Sequence, residues 1–152
     1  MAQSPEFANK LNEILIGMVD LALEFVEDRA DAAYVYVANE ETIQSFNAFY
    51  EIGRKVLSLG ETKARFHFSD SYCRDFLREG LSDIDRINEL GRQYNAETPT
   101  QIKLIYRVKK GTLQSSMQYV PICAEEMEKD ADDVLNEWIA EVRAEKAPRR
   151  WW

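Results

Sequence analysis

The sequence is poor in the residues on which most side-chain chemistry depends. Its 152 residues include one histidine, two cysteines, six glycines and four prolines. His67 stands in Arg65-Phe66-His67-Phe68, and no serine or cysteine occupies a nucleophile turn that would use it, so it is read as a structural or exposed residue. Cys73 and Cys123 lie fifty positions apart with no CxxC or HxxxH companion. That spacing excludes a disulfide scaffold, argues against zinc and fits two small buried side chains in a reducing cytoplasm. There is no GxGxxG or GxxxxGK[ST] loop to cradle a phosphate. No apolar run approaches the ~20 residues of a membrane span. The start, Met1-Ala2-Gln3-Ser4-Pro5-Glu6, lacks the basic and apolar regions of a signal peptide. The expectation is a cytoplasmic protein that is not an enzyme and uses no cofactor, metal or membrane.

What remains is a chain that is 45% hydrophobic, long enough for one domain over residues 1–152, with a core at about 6–145 and a tail at 146–152. Acids outnumber bases by 27 to 19, a net charge of -8, which argues against direct nucleic-acid binding. The charge gathers at the two ends. Residues 6–31 hold seven acids against two bases, and residues 124–147 hold nine against three, while the middle is close to neutral. Such asymmetry steers a basic partner, and it also keeps a small protein soluble.

The hydrophobic pattern alternates between helix and strand. Phe7, Leu11, Ile14, Met18, Leu21 and Phe25 form a helical stripe behind a Ser4-Pro5-Glu6 start, running to about Glu27 or Asp28. Residues 32–38 and 43–52 read as an antiparallel pair of strands joined by Asn39-Glu40-Glu41-Thr42, and Lys55 to Leu59 as a third strand ending at Gly60. Ser69 or Asp70 caps a helix carrying Cys73, Phe76, Leu77, Leu81, Ile84, Ile87 and Leu90 inward. A hairpin turning at Lys110-Gly111-Thr112 pairs residues 102–109 with 113–122, and a last helix spans about Ala124 to Ala144. The fold class expected is α+β: an antiparallel sheet of about five strands with three helices, in the order α-β-β-β-α-β-β-α.

Carboxylates are abundant but not arranged for catalysis. Asp132 and Asp133 point about 100° apart on a helix, and Asp130, Asp133 and Glu137 share a face that reads as solvated rather than metal-binding.

In its order and pattern the chain resembles the YezG-like immunity protein family, small acidic bacterial proteins that neutralise a nuclease toxin delivered between cells. The resemblance covers about residues 6–145: the long first helix, Tyr34-Val35-Tyr36-Val37, the turn Asn39-Glu40-Glu41, Phe46-Asn47-Ala48-Phe49-Tyr50, and the later pair Gln101 to Tyr106 and Leu113 to Tyr119. It departs from the family where Thr98-Pro99-Thr100 replaces a common tryptophan, and where Glu125-Glu126 alone follow the last strand. The resemblance implies an antitoxin, monomeric or homodimeric, that fills or flanks the basic cleft of a cognate toxin, so that steering speeds capture and aromatic anchors hold the complex. The contacts expected are Glu40 and Glu41 at the hairpin tip, Glu126, Asp130, Asp133 and Glu137 on the last helix, and Phe49 and Tyr36 if their strand faces are open. Two other readings stand beside it: an adaptor domain that uses an open sheet edge, and a small-molecule domain with Tyr34, Tyr36, Phe46 and Tyr50 lining a pocket.

Overall fold

The computed structural model describes residues 4–123 and 129–146. The elements are α1 (Pro5–Phe25), β1 (Ala32–Asn39), β2 (Gln44–Ile52), β3 (Lys55–Leu57), α2 (Leu59–Phe66), α3 (Asp70–Tyr94), β4 (Gln101–Arg107), β5 (Thr112–Gln118) and α4 (Ala131–Lys146). The α+β class and the five-stranded antiparallel sheet agree with the sequence reading; the count of three helices and the order α-β-β-β-α-β-β-α do not. Four helices stand among the described residues, in the order α-β-β-β-α-α-β-β-α.

The additional helix is α2, where the sequence pattern pointed to the end of a strand. Ser58 closes a capping box: its hydroxyl accepts the Glu61 N–H at 3.2 Å, and the Glu61 carboxylate accepts the Ser58 N–H at 2.9 Å. That reciprocal pair stops β3 at three residues and turns the chain into a helix. The strand β5 also ends early, at Gln118, and the described part of α4 begins at Ala131. Residues 124–128, expected to open that helix, lie outside the described residues.

The strands run β3-β2-β1-β4-β5, all antiparallel. The central strand β1 is buried along Ala32–Ala38 on both faces, because helices cover both sides. Ala33, Val35 and Val37, with Phe46, Ala48, Tyr50 and Ile52 of β2, meet α1 and α3; Ala32, Tyr34, Tyr36, Ala38 and Phe49 meet α4. Tyr34 and Tyr36 therefore face away from Phe46 and Tyr50, and all four are buried, so these rings do not line one pocket. On α3, Leu81 is exposed rather than inward, and Gly80 takes the buried position beside Phe46. Ser69 is the N-cap of α3, its hydroxyl accepting the Tyr72 N–H.

Two buried tyrosines make opposite predictions. The Tyr50 hydroxyl donates to the Ala22 carbonyl at 2.7 Å and ties β2 to α1, whereas the Tyr34 hydroxyl is buried without a partner among the described residues. Tyr50→Phe is expected to destabilise by about 1 kcal/mol, and Tyr34→Phe to stabilise by a similar amount. Urea unfolding of both variants checks the pair; a loss of stability in Tyr34→Phe would show that its hydroxyl has a partner.

Candidate functional site

The carboxylates singled out in the sequence are mostly engaged within the fold. Glu40 is half-buried, and its Oε2 accepts the N–H groups of Ile122 at 3.0 Å and Cys123 at 2.7 Å. It thereby holds the segment after β5 against the β1–β2 turn. Asp130 and Asp133 cap α4 reciprocally: Asp133 N–H donates to Asp130 Oδ1 at 2.8 Å, and Asp130 N–H to Asp133 Oδ2 at 3.1 Å. Glu137 pairs with Lys129 at 3.0 Å. Glu41 is exposed at the turn, and Glu126 lies outside the described residues.

Phe49, the expected aromatic anchor, is fully buried. Its ring stacks on Tyr34 at 4.5 Å and takes the Trp138 ring edge-on at 4.9 Å. The face on which Phe49 and Tyr36 sit is closed by α4, so neither ring is offered to a partner in this conformation. The reason is sequence spacing on the last helix: Val134, Leu135, Trp138, Ile139 and Val142 present a broad apolar stripe to that face. Arg143 fastens the far end of the helix, donating to the Val56 carbonyl and to Glu61 at 2.6 Å. Glu61 is held below the ordinary carboxylate range, first by the Ser58 backbone N–H.

The groups with nucleophilic potential are quiet. Burial pushes both the Cys73 and Cys123 thiols up, with Glu40 adding to the effect at Cys123, which keeps them protonated. His67 is exposed, with φ of 58°, and caps the C-terminus of α2 in the left-handed region. Among the described residues, no group of three or more His, Cys, Asp or Glu side chains is placed to hold a metal. No described helix is long and apolar enough to cross a membrane.

A groove of about 380 Å³ between α1 and α3 has a more definite chemistry. Its floor is Leu21, Phe25, Tyr72 and Phe76, and its rim is Glu24, Asp75 and Glu79. The Phe25 ring stacks between Tyr72 at 5.0 Å and Phe76 at 4.4 Å, and the Tyr72 hydroxyl donates to the Phe25 carbonyl at 2.8 Å. These contacts fix the aromatic floor while leaving Tyr72 38% exposed. Burial, followed by the charge of Glu27, pushes the Tyr72 phenol up, so it stays neutral. Asp75 approaches Arg78 only to 3.9 Å, and none of the ion pairs among the described residues involves Glu24 or Glu79. Phe25 and Phe76 are 3% and 4% exposed, so the ring of this floor that is open to a cation is Tyr72, beneath the unpaired carboxylates of Glu24 and Glu79. The protein makes a contact between a cation and a ring next door, where the Arg29 guanidinium sits 3.8 Å from the centre of the Phe66 ring.

The sequence marks Phe25 and Phe76 as core and Glu24, Asp75 and Glu79 as solvated faces of separate helices. Their meeting depends on how α1 packs on α3, across 47 positions between Phe25 and Tyr72. The one local sign is Tyr72, an aromatic one turn ahead of Phe76 on the inward stripe. Compared with models of known families and with curated proteins, the sequence matches none.

Proposed function

We propose that this protein works by binding, as an immunity protein that neutralises a toxin with a basic, nuclease-type cleft. The observation that supports this reading is the α1–α3 groove, whose exposed Tyr72 ring and three-carboxylate rim suit a lysine or arginine side chain of another protein. A nuclease cleft is rich in such side chains because it holds a polyanion. Glu24 and Glu79, which enter none of the ion pairs among the described residues, keep their charge available at long range and speed encounter. Glu41 adds a further exposed acid at the β1–β2 turn. Phe49, Glu40, Asp130 and Asp133, expected as contacts, are engaged with α4 and the segment after β5 and take no part in this groove.

Co-expression with the product of the neighbouring gene tests the proposal. That product is expected to be toxic alone and harmless beside this protein, and Glu24→Gln/Asp75→Asn/Glu79→Gln is expected to protect at least about tenfold less, given ~1 kcal/mol or more for each desolvated charge pair. A harmless product, or full toxicity beside this protein, overturns it.

A second reading, an adaptor or self-associating module, has one observation behind it. The strand β5 is an edge strand exposed along nearly its whole length, with Leu113 on it 39% exposed and Val120, two residues beyond its end, 58% exposed. Sedimentation of the isolated chain separates the two: a tight homodimer built on β5 favours the adaptor.

A further inference from the structure

At one end of the sheet this acidic protein gathers cations around a second cavity. One row of residues crosses the sheet there: Val56, Glu51, Ala32, Arg107 and Thr112 are partners in register. Ala32 faces α4, and with a single methyl group it leaves a gap between Glu51 and Arg107. The gap opens into a cavity of about 570 Å³ lined by Asp31, Ala32, Glu51, Arg54, Arg107, Lys109, Lys110 and Lys146.

Two turns place the cations on its rim. Gly53 and Arg54, with φ of 58° and 70°, form the two-residue connection between Ile52 and its partner Lys55, as in a type I′ hairpin. In the β4–β5 turn, Gly111, with φ of 63°, bonds back to the carbonyls of Arg107 and Val108, which sets Lys109 and Lys110 beside the end of β4. The two carboxylates of the lining are committed internally. Asp31 Oδ2 accepts the Gly53 N–H at 3.0 Å, and Glu51 Oε2 lies 2.9 Å from the Lys146 ammonium. Arg54, Arg107, Lys109 and Lys110 take part in none of the ion pairs among the described residues.

Four cations against the one carboxylate charge left on Asp31 give the concavity a net charge of +3, and the cations repel one another and focus their field on whatever enters. A compact anion with three or more charges relieves that repulsion. Guanidinium groups from the β2–β3 turn and from the end of β4 offer forked donors to its oxygens, and flexible lysines complete the shell. The geometry points to a binding site for a small polyanion of the diphosphate class at this end of the sheet. The site is on a different part of the chain from the α1–α3 groove and does not depend on the function proposed there.

Calorimetric titration of the full chain with inorganic pyrophosphate, in buffer free of divalent cations, tests the site. Saturable 1:1 binding is expected, with orthophosphate and citrate each at least about tenfold weaker. Arg54→Gly removes one cation at a backbone position that glycine accepts, and Arg107→Gln/Lys110→Gln removes two more. Each variant is expected to weaken pyrophosphate binding at least about tenfold, the scale of one or more charged hydrogen bonds. Arg74→Gln, an exposed cation on α3, is expected to leave it unchanged. Absence of saturable binding overturns the proposal. So does equal weakening by Arg74→Gln, or binding that is indifferent to the cavity variants, because either result makes the attraction non-specific. Citrate or orthophosphate binding as tightly as pyrophosphate overturns the diphosphate assignment.

Discussion

Trp138→Ala is expected to cost about 4 kcal/mol of folding stability and to loosen α4 from the sheet. Trp138 is 6% exposed and is the hub of the smaller core. Its ring meets Phe49 edge-on at 4.9 Å and Tyr34 at 5.8 Å, and lies 6.5 Å from Tyr36. Lys103 adds its ammonium at 5.2 Å from the ring centre. Removing the indole deletes all four contacts and leaves a void whose walls, built on the pleated sheet, have little freedom to collapse. Val134, Leu135, Ile139 and Val142 remain buried but are smaller, and Arg143 on Val56 and Glu61 is half-exposed. Chemical unfolding gives the magnitude, and hydrogen exchange locates it: protection should fall first in residues 131–146. A loss below about 1 kcal/mol would show that Trp138 is not the hub of this core and that the rest of the stripe holds α4.

Gly80→Ala carries the second large effect, about 2–3 kcal/mol of destabilisation although alanine is the better helix former. A Cβ built at Gly80 would lie 2.0 Å from Phe46 Cδ2 and 2.1 Å from Phe46 Cγ. These are the base and side of the ring, so no end-of-chain rotation clears them. Phe46 is itself 4% exposed and set against the Phe76 ring at 5.4 Å, which leaves it nowhere to move. Either α3 backs away from β2 or the ring leaves its place, and both open the larger core. Gly17→Ala on α1 is the matched control, because nothing lies within 4 Å of its added methyl group. That variant should gain about 1 kcal/mol from helix propensity. Thermal unfolding of both variants checks the sign. A stabilised Gly80→Ala protein would contradict the close approach of α3 to the sheet.

These two variants also mark where the sequence was readable. The stripe from Phe7 to Phe25 and the two-residue alternation of Phe46, Ala48, Tyr50 and Ile52 survive in the fold, because each repeats often enough to outweigh local exceptions. The run Lys55 to Leu59 did not, since Ser58 and Glu61 form a capping box whose two hydrogen bonds decide the conformation against the apolar alternation around them. The same kind of signal was present at Asp130 and Asp133, three apart, where reading for surface charge hid a pair that caps a helix. Burial of Ala32–Ala38 on both parities shows that the absence of polar residues there was a sign of helices on both faces. Gly80 and Leu81 exchange places because a helix packed tightly on a strand selects for the smallest side chain, which hydrophobicity alone does not register.

The candidate sites were least legible. Phe25 and Tyr72 meet across the α1–α3 interface, and Arg54, Arg107 and Lys110 line one cavity from two turns and the end of β4. In each case the chain supplies ordinary residues, and only the packing of distant elements makes a surface of them. The carboxylates that the fold keeps for itself, Glu40 above all, are those that stood out locally.

The association rate between this protein and the product of the neighbouring gene, followed by stopped flow at about 20 mM and about 150 mM salt, tests the proposed recognition most directly. The native chain should bind at least about tenfold more slowly at the higher salt, where charges farther apart than ~8 Å are screened. Glu24→Gln/Asp75→Asn/Glu79→Gln should start slower and lose most of that salt dependence. Equal rates and equal salt slopes for the two proteins would contradict capture of a basic partner at the α1–α3 groove.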